Sequence, residues 1–327
     1  VRVRRQRRRR DVLRRRLVAL TIVLAAAAAT AIGLTRPWDD GGEVTPPATT
    51  ATESPAPAPP SPPSPAAAAQ LPRGGRSVLP DFRVVALFGA PQARELGALG
   101  RGTPAQDAAR LTKLAAPYSS GGRPVLPALW LITSISSTQP GAGGLYRTFQ
   151  ETATIRRYLA AARRARMLLI LDLQPGRANL LDDVRRLEPF LEEPDVGLAL
   201  DPEWALGPDE TAADAPGSLD ASTIARVAAE LSRIVSANRL PEKILAVHSF
   251  SPDLITGDTR LRSRSGVALV IDANAIGPLD EKRTAYERVA RPGLFRGIKL
   301  FFEEDPALLT PAQVLSLTPR PDVVIYE

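Results

Sequence analysis

Acidic side chains collect where short apolar runs end. In Val196–Trp204, VGLALDPEW, an apolar run breaks into Asp201, Pro202, Glu203 and Trp204. The run Met167–Leu171 leads into Asp172 and Gln174, Lys243–Val247 into His248, and Val267–Ile271 into Asp272 and Asn274. Gly297–Phe302 carries Lys299 and runs into Glu303, Glu304 and Asp305, and Asp322–Tyr326 ends on Tyr326. The other ends of these runs, and of the run Val125–Ile135, hold mainly Pro124, Arg166, Pro241, Gly266 and Gly297, so the polar groups sit at one end only. Many carboxyls, a single histidine and no cysteine point to acid–base or nucleophilic work by carboxylates. That chemistry needs two acids whose surroundings separate their pKa values. Glycosidic-bond hydrolysis asks for such a pair, about 5–5.5 Å apart for retention and about 6.5–9.5 Å for inversion.

Side-chain parity ranks the candidates. Residues two apart share a strand face, so Asp201 and Glu203 point the same way if the strand runs that far. By the same rule Lys299, Phe301 and Glu303 share a face that excludes Glu304. Glu203 and Glu303 are therefore the expected catalytic pair. Asp172, Gln174, Asp201, Trp204, His248, Asp272, Asn274, Lys299 and Tyr326 are expected to bind substrate or tune a pKa, with Trp130 and Trp204 also suited to packing. Lys299 needs an acidic partner, because an unpaired buried ammonium is expensive. Glu304 and Asp305 read as charges favourable to a helix start. An N-cap role for Asp201 or Glu203 is disfavoured, since the next helical pattern begins only near Ala221. No cofactor is expected. Without H-x-H or H-E-x-x-H spacing no metal is assigned either, although Asp172, Asp201, Glu203, Asp272 and His248 would be the donors for Mg²⁺ or Ca²⁺ in a phosphodiesterase-like alternative. A non-catalytic glycan-binding or scaffold module is the other alternative.

Eight apolar runs are needed to position these groups: the six above with Arg83–Phe88 and Val125–Ile135. They are continuous rather than alternating, as strands covered on both faces are. Helical patterns separate them at Phe149–Arg164, opened by a Thr148–Glu151 capping box, and at Leu180–Leu191, Ala221–Ala237, Leu279–Val289 and Gln313–Leu317. Strand and helix alternating over roughly 250 residues predict an α/β fold, a (β/α)8 TIM-type barrel over 78–327. The eighth strand is the last element, so a helix after it is expected to be missing or replaced. Neither G-x-G-x-x-G after the first strand nor a Walker A sequence occurs, which weakens a nucleotide-binding reading.

The segments before the barrel suggest location. Residues 1–16 hold ten Arg and one Asp, a charge of +9 against +7 for the whole chain, which leaves −2 for the remainder. The basicity is thus confined to a tail, and no nucleic-acid partner is expected. Leu17–Leu34 has no charged residue and eighteen residues, about 27 Å as a helix. A basic flank on its N-terminal side keeps 1–16 cytoplasmic and predicts a single-pass membrane anchor with the C-terminal domain outside. A cleaved signal segment, giving a secreted protein, is the rival. The Pro-, Ala-, Ser- and Thr-rich stretch in 35–77 reads as a disordered linker. The expected partners are the membrane, through 17–34, and a cell-envelope polysaccharide or saccharide ligand.

An acid at the exit of strand four and another at strand seven resembles the large retaining-glycosidase superfamily built on this barrel. That resemblance implies Glu203 as acid/base and Glu303 as nucleophile, with Pro202 where those enzymes usually carry Asn. Asp201-Pro-Glu203 also resembles the end of the chitinase-type D-x-x-D-x-D-x-E motif, with Val196 and Ala199 in place of its earlier acids. LDLQPGRANLLDDV, GLALDPEWALGPDE, LPEKILAVHSF and KLFFEEDPALLTPAQV together resemble a group of exported actinobacterial, glycoside hydrolase-like (β/α)8-barrel proteins of unassigned activity.

Overall fold

The computed structural model describes residues 68–119, 122–211, 216–257 and 261–327. The basic tail, the apolar segment and most of the linker expected at the N-terminus lie outside them. Among the described residues no helix is long and apolar enough to cross a membrane.

Eight parallel strands close into a barrel: β1 (Arg83–Gly89), β2 (Val125–Ser136), β3 (Leu168–Leu173), β4 (Val196–Leu200), β5 (Lys243–Ser249), β6 (Val267–Ala273), β7 (Phe295–Leu300) and β8 (Val323–Tyr326). Each pairs with the next, and β8 pairs with β1, leaving no open edge. All eight expected runs are strands, with ends that differ by at most two residues. Helices lie between them: α1 (Pro104–Ala115), α2 (Thr152–Arg164), α3 (Leu180–Leu191), α4 (Ala221–Ala237), α5 (Leu279–Arg288) and the short α6 (Pro311–Leu315).

Continuous apolar runs are required because both strand faces are covered. On β1, Val84, Ala86 and Phe88 fill the barrel interior, while Val85 and Leu87 pack beneath the helices. Each large aliphatic side chain fully buried in this way contributes about 1.5–3 kcal/mol. Gly197 and Gly297 sit where the interior is tightest: a Cβ on Gly197 would lie 2.6 Å from Ile170, and one on Gly297 would lie 2.6 Å from the Asp272 Cβ. Residues 68–82 plug the N-terminal mouth. Leu71, Val78 and Leu79 join the inner core, and the Glu242 carboxylate accepts the Val78 and Leu79 amides at 2.7 and 2.9 Å. The packed chain therefore includes part of the stretch whose composition reads as linker.

Two local expectations change. Thr148 does not open a capping box: Arg147–Phe149 pairs antiparallel with the end of β2, and the helix starts only at Thr152, with no side-chain cap from Glu151. Strand pairing commits the backbone of Thr148 before a helix can use it. The α1 helix, absent from the expected pattern, has a complete capping box between Thr103 and Gln106.

Candidate active site

A buried polar network centres on His248, near the C-terminal end of β5 and fully buried. Its Nε2 lies 2.7 Å from Asp172 Oδ2 on β3, and its Nδ1 lies 2.9 Å from Asp272 Oδ1 on β6. Trp130 Nε1, on β2, donates to the same Asp172 oxygen at 2.7 Å. Burial opposes a charge on the ring, but Asp272 and Asp172 outweigh it and raise the His248 pKa to about 10. The imidazolium thus donates from both nitrogens to two carboxylates. Phe88 meets the ring edge-on at 5.6 Å, and Trp130 closes another side. In strand register His248 is the direct neighbour of Asp272, so adjacent parallel strands bring them together.

Above this network opens a cleft of about 660 Å³ at the C-terminal ends of the strands. Its floor includes Phe88, Ser136, Gln174, Asp201, Asn274 and Lys299. Lys299, inside β7, has the acidic partner its burial demands: Glu327 Oε2 at 2.9 Å, with the ammonium 3.6 Å over the Phe88 ring. Burial disfavours this charge, yet Glu327, Asp201, Asp272 and Asp172 together raise the Lys299 pKa above its ordinary value. Glu327 continues the inward series Val323 and Ile325, and its backbone extends the β7–β8 ladder through Leu300 and Phe302. Simple alternation along β8 would have found it.

Asp201 and Glu203 both line the cleft and are buried, but not as neighbours on one strand face. β4 ends at Leu200, and Pro202–Trp204 forms a single 3-10 turn opened by Asp201, whose side chain caps nothing. The turn is clamped by backbone bonds from Gly176 N to Trp204 O, Gly217 N to Glu203 O and Leu206 N to Gly176 O. Gly176 has φ 56°, and a Cβ there would collide with Leu145 O; a Cβ on Gly217 would collide with Ala205 O. Burial first, then the charge of Glu203, pushes the Asp201 pKa well above the carboxylate range, while His248 and Lys299 pull against it. The shift favours the protonated form of Asp201, beside a second acid. Gln174 is locked by accepting the Ser136 amide at 2.8 Å, and Trp204 walls the cleft.

Other expected residues take different places. Glu303 lies on the rim, 64% exposed and ion-paired to Arg101 at 2.6 Å. β7 stops at Leu300, so the parity that favoured Glu303 over Glu304 does not extend to either. Both line the cleft as loop acids. Asp305 is buried and structural: it accepts the Phe301 and Gly277 amides and pairs with Lys282 at 2.9 Å. Lys282 in turn donates to Ala275 O and Lys299 O, tying the β6 and β7 exits together. Tyr326 faces away from the cleft, its hydroxyl 2.7 Å from that of Tyr118 under the helices, because inward Ile325 forces it outward.

Asp172, Asp201 and His248 each offer one donor atom within 4.8 Å of the others, the spacing of a small metal cluster. Both imidazole nitrogens are engaged by carboxylates, however, so His248 would have to give up one of these bonds to ligate a cation. The imidazolium and Lys299 supply the positive charge that a cation would otherwise bring, so the arrangement fits a proton network better than a metal.

No family model matches the chain, and no curated protein matches it in sequence. Among solved structures it is similar to a candidate alpha-L-fucosidase from Bacteroides thetaiotaomicron VPI-5482, with 11% identity and a TM-score of 0.37 over 76% of this chain and 86% of that one.

Proposed function

We propose that the barrel is a glycoside hydrolase-like enzyme, held outside the cell by residues 17–34 and acting on cell-envelope polysaccharide. The observation that carries the chemistry is the buried Asp201 in the cleft beside Glu203, its carboxyl pushed toward the protonated form by burial and by the neighbouring acid. A carboxylic acid that keeps its proton at neutral pH is what a leaving alkoxide needs. Asp201 gives that proton to the bridging oxygen as the glycosidic bond breaks. Water adds to the anomeric carbon and yields its proton to a carboxylate, which Glu327 supplies from β8. In an eight-stranded ring β8 is four strands from β4 by either route, so Glu327 approaches from the opposite wall. Glu203 acts through Asp201 as a positioning residue, its charge holding the proton in place.

The test is reducing-sugar release from purified envelope polysaccharides. Asp201→Asn and Glu327→Gln are each expected to lower kcat by about 10²–10⁴-fold, the usual contribution of a positioned acid or base, while the rim variant Glu303→Gln stays within about tenfold. Glu203→Gln removes a charge that raises the Asp201 pKa, so the limb on which activity falls with rising pH moves to lower pH. Full activity in both Asp201→Asn and Glu327→Gln would sink the assignment.

A further inference from the structure

The charge and hydrogen-bonding character of the cleft also restrict which glycan fits it; the following rests on the glycoside reading above. Four glutamates, Glu95, Glu281, Glu303 and Glu304, stand around the upper lining. Below them are Asp201, Glu203 and Glu327, against a single lining cation, Lys299. Seven acidic side chains thus stand against Lys299 and the adjoining Arg101. A concave cleft lined by one sign of charge focuses its field and concentrates ligands of the opposite sign. Lys299 is not available to an anionic ligand, since Glu327 and the Phe88 face already hold it.

Hydrogen bonding points the same way. Asp201 Oδ1, Asn274 Oδ1 and Ser136 Oγ are buried lining atoms with no hydrogen-bond partner among the described residues. Asn274 Oδ1 is a pure acceptor, the Asp201 carboxyl and Ser136 hydroxyl can each accept, and leaving such groups desolvated costs about 1–3 kcal/mol each. They are completed by donors, such as hydroxyl and ammonium groups, and repelled by the carboxylate of a uronic acid. An N-acetyl group replaces a charged donor set by one N–H and a further acceptor.

We infer that the cleft takes a glycan bearing free, protonated amines, a de-N-acetylated hexosamine oligomer, in preference to N-acetylated or uronic-acid glycans. The ammonium groups run along the glutamate rim while sugar hydroxyls satisfy the floor.

Titration calorimetry of the full-length chain at about pH 6, where a primary amine is charged, tests this with three tetrasaccharide probes: glucosamine, N-acetylglucosamine and galacturonate. The glucosamine tetramer is expected to bind at least about tenfold tighter than either other probe, one order in Kd being the effect of about 1.4 kcal/mol. The margin shrinks on raising salt to about 0.5 M, because exposed charges are screened. The exposed pair Glu95→Gln/Glu281→Gln weakens binding of the amine probe several-fold and leaves the acetylated probe unchanged. Equal or tighter binding of an acetylated or anionic probe, or no binding of the amine probe, overturns the inference. Cleavage is scored separately. Amine binding without turnover by the wild-type chain retains the inference and removes the hydrolytic reading; turnover of another glycan with no amine binding does the reverse.

Discussion

Replacing His248 by leucine tests the buried charge network directly. The ring sits between Asp172 and Asp272 at 2.7 and 2.9 Å, and its pKa stands at about 10 against 6.5 for an unperturbed histidine. A difference of that size, at about 1.4 kcal/mol per pKa unit, corresponds to about 5 kcal/mol of stability. Breaking a buried ion pair by removing one partner costs about 3–5 kcal/mol by an independent route. His248→Leu is therefore expected to destabilise the barrel by about 3–5 kcal/mol at neutral pH. The folded pKa lies above the unfolded one, so the contribution is complete below pH 6.5 and disappears as pH rises through about 10. Lys243 acts in the opposite sense. Burial lowers its pKa from 10.5 to about 7, so stability from this group rises between those values. The raw pH curve mixes the two, and only the difference between wild type and variant isolates His248. Urea unfolding from about pH 6 to about pH 10 measures it. The difference should narrow by several kcal/mol across that range, and Asp172→Asn/Asp272→Asn added to His248→Leu should recover part of the loss, because the stranded carboxylates are gone. A penalty under about 1 kcal/mol, or one that does not change with pH, would refute the imidazolium assignment.

Two further outcomes follow from packing around the site. Lys282→Met strands Asp305 beneath the β7 exit and should cost about 3–5 kcal/mol, measured by urea unfolding. Lys282→Met with Asp305→Asn should cost less than the single change. Gly297→Ala places a Cβ 2.6 Å from that of Asp272, where strand backbone leaves little room to yield. It should cost about 1–3 kcal/mol and disturb the imidazolium. The one histidine in the chain gives a clean NMR titration, in which the His248 pKa should fall; an unchanged value would show that the strand absorbs the methyl group elsewhere.

Much of the barrel was legible in the sequence because its cause is local. A strand covered on both faces has to be apolar throughout, so eight aliphatic runs with polar residues at one end describe eight strands and the face they open on. Asp172, Gln174, Asp201, Glu203, Trp204, His248, Asp272, Asn274 and Lys299 all lie in the interior network or the cleft for that reason. Strand parity loses its meaning where a strand stops. A period of two extended beyond Leu300 favours Glu303, but there the chain turns over the Asp305 carboxylate and carries Glu303 to the rim. Tyr326 lies on the outward parity of β8, and the same alternation assigns Glu327 inward, although pairing with Lys299 depends on a neighbouring strand. Sequence determined residue types, strand order along the chain and the active end. Only closure of the sheet could decide that Asp172 and Asp272, a hundred residues apart in the chain, share one imidazolium, and that burial pushes the Asp201 pKa upward. Those outcomes depend on desolvation and on distances across the barrel, which no local pattern encodes.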